Sequence, residues 1–317
     1  MNKYLIFRTD RIGDFLVSAI LIKSIRRNDP DSYIIVVASE KNFNYIKSFK
    51  IVDEVILLKK GILNKLKLIN SINKDEYRAI IVHDSKQRSK IISVFLNKKI
   101  IISSNIDSNI SYYSDIQNIL NSLKFSFDKS DLNTLADRSY KELRLQQYTL
   151  QSLPRFEVML AKIENLSKDF ILFHFDEKWI HNQYISSYIN IEPTENELIS
   201  FFNSIVNKTN KNLVVTTGLN TPKILDNIFT NKLNTKITFF NNINFLDIES
   251  LIDKSELLIS CHGALSHVAS SKSIKQIDII EEKKINFYRK WTDHFRNYKS
   301  INRKNFNLLA NEIINLL

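Results

Sequence analysis

Glycine is scarce in this chain: four in 317 residues, beside four prolines and one cysteine. That excludes a collagen-like repeat and a Pro/Gly low-complexity chain. A lone Cys261 excludes an internal disulfide and fits a reducing compartment. There is no Gly-x-Gly-x-x-Gly and no P-loop, so the standard dinucleotide and triphosphate fingerprints are missing. Cysteine and histidine spacing gives no zinc site, and Asp29-Pro30-Asp31 reads as a helix stop rather than a metal site. The longest apolar runs, such as residues 15–22, fall far short of the roughly 20 residues a membrane span needs. Arg8, Asp10 and Arg11 stand where a signal peptide would be apolar, so the expected location is cytoplasmic.

What is present reads as globular: 44% hydrophobic and 25% charged residues, in a length comfortable for two domains. The net charge of +11 points to an anionic partner, whether nucleotide, nucleic acid or acidic membrane surface. Richness in Lys, Asn and Ile accounts for part of that charge without any function.

The first half alternates strand-like and helix-like runs, with strands over 4–7, 33–38, 55–58, 79–83 and 99–103. Helical patterns lie over 14–27, 43–49, 63–73 and 86–95. From 105 to 168 the strand signal fades, and 113–124 and 138–150 read as helices. A second alternating series then places strands over 170–174, 213–217, 236–240, 257–260 and 276–280. Helices are expected from Glu195, where Thr194 and Glu197 have capping-box spacing, over 245–253 and 264–271, and at the C-terminus. The fold class is α/β, with parallel doubly wound sheets. The expected domains are 1–160 and 161–317, with a cleft between them. Gly13, Gly218 and Gly263 each follow a strand, where open α/β sheets bind ligands.

Three constellations stand at such strand ends. The first is Arg8-Thr9-Asp10-Arg11-Ile12-Gly13-Asp14. An aspartate in a first helical turn is commonly a cap, yet Asp14 is also placed to take a proton from a bound hydroxyl. Asp10 is the competing carboxylate, and Arg8 and Arg11 either meet an anionic ligand or pair with these acids. The second is His174 to Trp179, where Lys178 either holds a diphosphate as a point charge or is a solvated lysine. Thr216, Thr217 and Gly218 end the next strand and either donate to phosphate or form a turn. The third is Cys261-His262-Gly263-Ala264-Leu265-Ser266-His267, a turn that delivers backbone N–H groups at a helix start.

Arg8 to Leu16, followed by a helix and Arg26-Arg27-Asn28-Asp29-Pro30, resembles the opening of glycosyltransferase family 9, the ADP-heptose:lipopolysaccharide heptosyltransferases. The resemblance continues through Glu76 to Asp84 and Lys178-Trp179, and ends with Leu251 to His267. It implies a GT-B fold: two Rossmann-like domains whose parallel sheets face a central cleft. It implies acceptor binding on the first domain (Arg8, Asp10, Arg11, Gly13) and nucleotide-sugar binding on the second (Lys178, Thr216, Thr217, Gly218, His262, Gly263, Ser266, His267). It further implies inverting transfer with no cofactor or essential metal, with Asp14 as general base. The chain departs from the family pattern where Cys261-His262-Gly263 replaces Asp-Thr-Gly, and in lacking an acidic residue after Gly218. Those departures bear on the donor's sugar and base.

The leading expectation is therefore a glycosyltransferase of lipopolysaccharide core or a related surface glycan. Its partners would be a nucleotide-sugar, an anionic glycolipid acceptor and, peripherally, the inner-membrane surface. The alternatives are a sugar-nucleotide epimerase or hydrolase on the same fold, and a nucleotide- or nucleic-acid-binding protein using the +11 charge.

Overall fold

The computed structural model describes residues 1–84, 86–98, 100–104, 110–136, 138–145, 161–166, 169–228 and 234–317. It divides into two compact units. Unit 1 comprises Met1–Thr134 and Asn286–His294; unit 2 comprises Leu135–Ile285 and Phe295–Leu317. Residues 286–294 were expected in the second domain, but they group with unit 1. The local cause is aromatic packing: Trp291 stacks on Tyr112, ring centroids 3.6 Å apart, and His294 on Tyr113. The division falls between Thr134 and Leu135 rather than at 160/161, so residues 135–136 and 138–145 group with unit 2.

Unit 1 carries strands β1 (Lys3–Arg8), β2 (Tyr33–Ala38), β3 (Glu54–Leu57), β4 (Ala79–Val82) and β5 (Ile101–Ser103). They form one all-parallel sheet in the order β3-β2-β1-β4-β5. Unit 2 carries β6 (Phe170–His174), β7 (Asn212–Thr216), β8 (Ile237–Phe240), β9 (Leu257–Cys261), β10 (Lys275–Ile280) and β11 (Tyr298–Asn302). Its sheet, also all parallel, has the order β11-β10-β9-β6-β7-β8. In each unit the first strand lies between the second and the fourth, so the strand order reverses beside it. A crevice opens at such a reversal, outside the carboxyl ends of the two strands.

The central strands are apolar runs covered on both faces, as parallel sheets require. Helix Ile12–Asn28 follows β1, and eleven of its residues from Gly13 to Ile25 are buried. Its basic end, Arg26 and Arg27, suits the negative end of the helix dipole. Each unit has its own core cluster. Leu5, Phe7, Val37, Ile80 and Val82 centre the first; Phe173, Trp179, Phe202, Val215 and Leu309 centre the second.

Candidate functional site

In unit 1 the reversal lies between β1 and β4. Arg8, the last residue of β1, is fully buried. Its Nε donates to Ser18 Oγ (2.6 Å), and its Nη1 donates to the His83 carbonyl (2.9 Å) and to Asp10 Oδ2 (3.2 Å). Ser18 Oγ in turn meets His83 Nδ1 at 2.7 Å. Burial, aided by the Arg8 charge, pushes the His83 imidazole well below its ordinary pKa, so the ring is neutral. The network then assigns the Ser18 proton to Nδ1 and the ring proton to Nε2. Asp84, just past β4, accepts from Thr9 N (3.1 Å), Thr9 Oγ1 (2.5 Å) and Ser89 Oγ (2.7 Å). The ends of the two neighbouring strands are thereby tied together.

Asp10 is nearly buried. Burial pushes its carboxyl up to about 6 against the opposing Arg8 charge, and Asp14 and Asp84 add to the rise. Arg8 Nη2, Asp10 Oδ1 and His83 Nε2 have no hydrogen-bond partner among the described residues. Asp14, three residues into the helix turn, accepts from Arg11 N at 2.9 Å through Oδ2, closing the N-terminus. Beside this cluster opens a groove of about 520 Å³. Its walls include Asp10, Glu40, Arg11, Lys41, Lys60, Lys86 and Arg88, five cations against two acids. Of the sequence candidates, Asp10 and Arg11 line the groove. Arg8 lies beneath it as a positioning group.

In unit 2 the reversal lies between β6 and β9, and it brings Lys178 against the turn at Gly263. A Cβ added to Gly263 would stand 2.9 Å from Lys178 Nζ, so this glycine is where the lysine passes. Lys178 Nζ pairs with Asp176 Oδ2 at 2.8 Å, and His174 Nε2 lies 3.5 Å from the same oxygen. Burial would raise the Asp176 carboxyl, but the Lys178 ammonium and His174 outweigh it and hold it well below the carboxylate range. Burial would likewise lower Lys178, and Asp176 reverses the sign, so the lysine stays charged. Arg303 Nη2 donates to the Lys178 carbonyl (2.5 Å), and Trp179 Nε1 donates to the His174 carbonyl (2.9 Å), which fixes the loop.

The remaining donor-side candidates are more enclosed than expected. Thr216 and Thr217 are fully buried: Thr216 Oγ1 meets His174 Nδ1 at 3.0 Å, and Thr217 Oγ1 accepts from Asn242 N at 3.0 Å. Gly218 has open space around it. Ser266 Oγ donates to Asp278 Oδ1 (2.8 Å) and accepts from Gly263 N (3.2 Å). His262 Nδ1 meets Asp278 Oδ2 at 2.6 Å, and the His267 ring packs edge-on to Phe295. Gly263 N–H is thus occupied. Ser266 N donates to the Gly263 carbonyl at 3.1 Å, so by helix geometry the donors left at this terminus are the N–H groups of Ala264 and Leu265. Sequence reasoning passed over Ser18, His83, Asp84, Asp176 and Asp278. For His83 and Asp84 the signal was positional, since strand order places the end of β4 beside that of β1; for Asp176 it was local, two residues before Lys178.

No protein-family model matches the chain, and no curated protein matches it. Solved structures do. A glycosyl transferase family 9 protein from Veillonella parvula matches with a TM-score of 0.66 and 13% identity, over 98% of this chain and 90% of that one. E. coli heptosyltransferase WaaC, with ADP-2-deoxy-2-fluoro heptose, matches at 0.62 and 11%, over 99% and 100%. The putative UDP-N-acetylglucosamine 2-epimerase of Listeria monocytogenes matches at 0.57 and 12%, over 99% and 87%. The chain has the two-unit α/β architecture that these proteins share, the GT-B fold expected from its motifs.

Proposed function

We propose that the protein is an inverting glycosyltransferase moving a sugar, heptose from ADP-heptose, onto a lipopolysaccharide-core or related surface-glycan acceptor. The observation that carries this reading is the convergence of charged Lys178 on the Gly263 turn, at the strand-order reversal of the second sheet. A compact cation beside the helix-start N–H groups of Ala264 and Leu265 suits a diphosphate. The cationic groove of unit 1 supports an anionic acceptor. Likeness to WaaC bound to an ADP-sugar analogue favours adenine and heptose.

In this mechanism the acceptor binds in the unit 1 groove with its reacting hydroxyl reaching past Arg11 to Asp14, which is not part of the groove's wall and takes the proton. That oxygen bonds to the anomeric carbon as the bond to the diphosphate breaks. The diphosphate leaves with the electron pair, and Lys178 and the first turn of helix Ala264–Ser271 meet its growing charge. No cofactor or metal enters the scheme.

Calorimetry with ADP, UDP, GDP and CDP, and a short RNA as control, tests the reading. Selective ADP binding supports it. UDP selectivity with conversion of a UDP-sugar and no acceptor would replace it with the epimerase reading. Asp14→Asn should retain donor binding and lower transfer by roughly 10²–10⁴-fold; near-normal turnover would remove Asp14 from the mechanism.

A further inference from the structure

The positive charge of this chain is not spread evenly. Between Lys59 and Ile100 the sequence carries eleven lysines and arginines against three acids, a net +8 of the total +11. The same stretch holds helices Ile62–Lys74 and Gln87–Val94. Both pack on one face of the unit 1 sheet: Leu68 and Ile72 of the first, and Ile92 of the second with Leu96 just after it, share the core cluster of Leu5, Phe7 and Val82. Asn73 joins their ends, donating to the Phe95 carbonyl (3.2 Å) and accepting from Asn97 N (3.0 Å).

The outward side of this helix pair exposes large apolar side chains among basic and polar ones. Among the described residues, fourteen large hydrophobics are exposed, and seven of them lie between Ile62 and Ile100. Ile62, Leu63 and Val94 are 76%, 75% and 80% exposed; Leu66 follows one turn on in the first helix, and Ile91 and Phe95 flank Val94 at the end of the second. Scattered exposed leucines need no explanation, but half of the total in one eighth of a chain does. The first helix buries Leu68 and Ile72, exposes Ile62, Leu63 and Leu66 in its first turns, and carries Lys65 and Lys67 next to them, with Lys59 and Lys60 just ahead. Apolar side chains flanked by lysines are the pattern of a helix that lies in a membrane interface. The apolar groups enter the headgroup boundary while the cations meet anionic lipid. No described helix is long and apolar enough to cross a membrane.

We propose that this helix pair docks unit 1 on an anionic lipid bilayer, lying on the surface without spanning it. The inference deepens the glycolipid-acceptor reading above by naming the surface through which the protein meets the membrane. Its test needs neither donor nor acceptor, so the two ideas fail separately. A protein that binds vesicles but no nucleotide sinks only the transferase; one that binds ADP but no vesicle sinks only the docking surface.

The experiment is sedimentation of the full chain with vesicles of phosphatidylglycerol and phosphatidylcholine in equal parts, and with phosphatidylcholine alone. Binding should require the anionic lipid and weaken with salt. Lys65→Gln with Lys67→Gln should lower the partition coefficient by roughly tenfold or more, from about 1 kcal/mol per cation at the surface. Leu63→Ser with Leu66→Ser should lower it at least about tenfold while leaving little salt-resistant binding. All four side chains are exposed or half-buried, so the fold should survive, as circular dichroism would check. Equal binding to both vesicles, no binding, or binding indifferent to both pairs of substitutions would overturn the proposal. So would a self-associated protein that the leucine substitutions return to monomer without any vesicle binding, or RNA binding that only the lysine substitutions weaken.

Discussion

Lys178 is held by one neighbour in its own segment and by one far along the chain. Asp176 keeps it charged, and Gly263, 85 positions away, gives it room. The Gly263 backbone is extended, φ 174°, which any residue adopts, so a substitution there acts through the lysine rather than through the turn. Gly263→Ala should displace the ammonium, weaken nucleoside diphosphate binding by roughly tenfold, about 1.4 kcal/mol, and leave the melting temperature nearly unchanged. Unaltered ADP affinity by calorimetry would remove Lys178 from the donor site. Asp176→Asn should be costlier: a charge stranded in a nearly closed site costs about 3 kcal/mol. The pH dependence has a definite sign. A carboxyl whose folded pKa is depressed contributes stability that is present above about pH 4 and is lost as pH falls toward the folded value. Denaturant titrations should therefore show a flatter acid limb in Asp176→Asn than in the parent; parallel limbs would contradict the ion pair. The strand-end positions of Asp14, Lys178 and Gly263 could be read from the sequence because the flanking patterns speak locally. Ser18 and His83 were not, since their roles come from the groups that the sheet order sets beside them; Asp176 was passed over although its partners lie two residues away on either side.

At the scale of elements, alternation of short apolar strands with helices carried most of the fold. Residues 33–38 and 170–174 form strands as read, and helix Ala264–Ser271 has the expected limits. The element from Glu195 to Thr209 starts as expected: Thr194 Oγ1 accepts from Glu197 N at 3.3 Å, and Glu197 Oε2 accepts from Thr194 N at 2.8 Å. Thr194→Ala should cost unit 2 about 1 kcal/mol, the ordinary loss for a helix cap, measurable by urea titration. A value near zero would mean that packing of Leu198, Phe201 and Phe202 alone fixes that terminus. Several elements escaped the sequence reading, among them helix Ile224–Ile228, strand β11 and helix Ile285–Thr292. Strand β11, Tyr-Lys-Ser-Ile-Asn, sits at a sheet edge with one buried residue, so it has almost no hydrophobic period. Helix Ile285–Thr292 buries only Tyr288 and Thr292, and its aromatic side chains Phe287 and Trp291 serve unit 1. Of the helix expected over 138–150, Tyr140–Leu145 is present and 146–150 lie outside the described residues.

At the scale of the whole molecule, the two cores share no residue, so the chain should unfold in two steps rather than one. Each step can be assigned by a perturbation confined to one unit. Trp291 stacks on Tyr112, and the pair belongs to unit 1 although the indole lies late in the sequence. Trp291→Ala should lower the unit 1 transition by about 1–2 kcal/mol, from the lost stacking plus the area it covers, and leave the other in place. ADP should do the reverse. On the proposed function, every group that meets the diphosphate stands in unit 2, so ADP at a hundredfold excess over its Kd should stabilise that transition alone by about 2.7 kcal/mol. Calorimetric scans of the parent and of Trp291→Ala, each with and without ADP, give four curves that decide the matter. Opposite shifts of two separate transitions would assign the nucleotide to unit 2. One transition that both perturbations move would mean that the units unfold as a single cooperative body, and a shift of the tryptophan-sensitive transition by ADP would place the nucleotide on unit 1 and overturn the donor site built around Lys178.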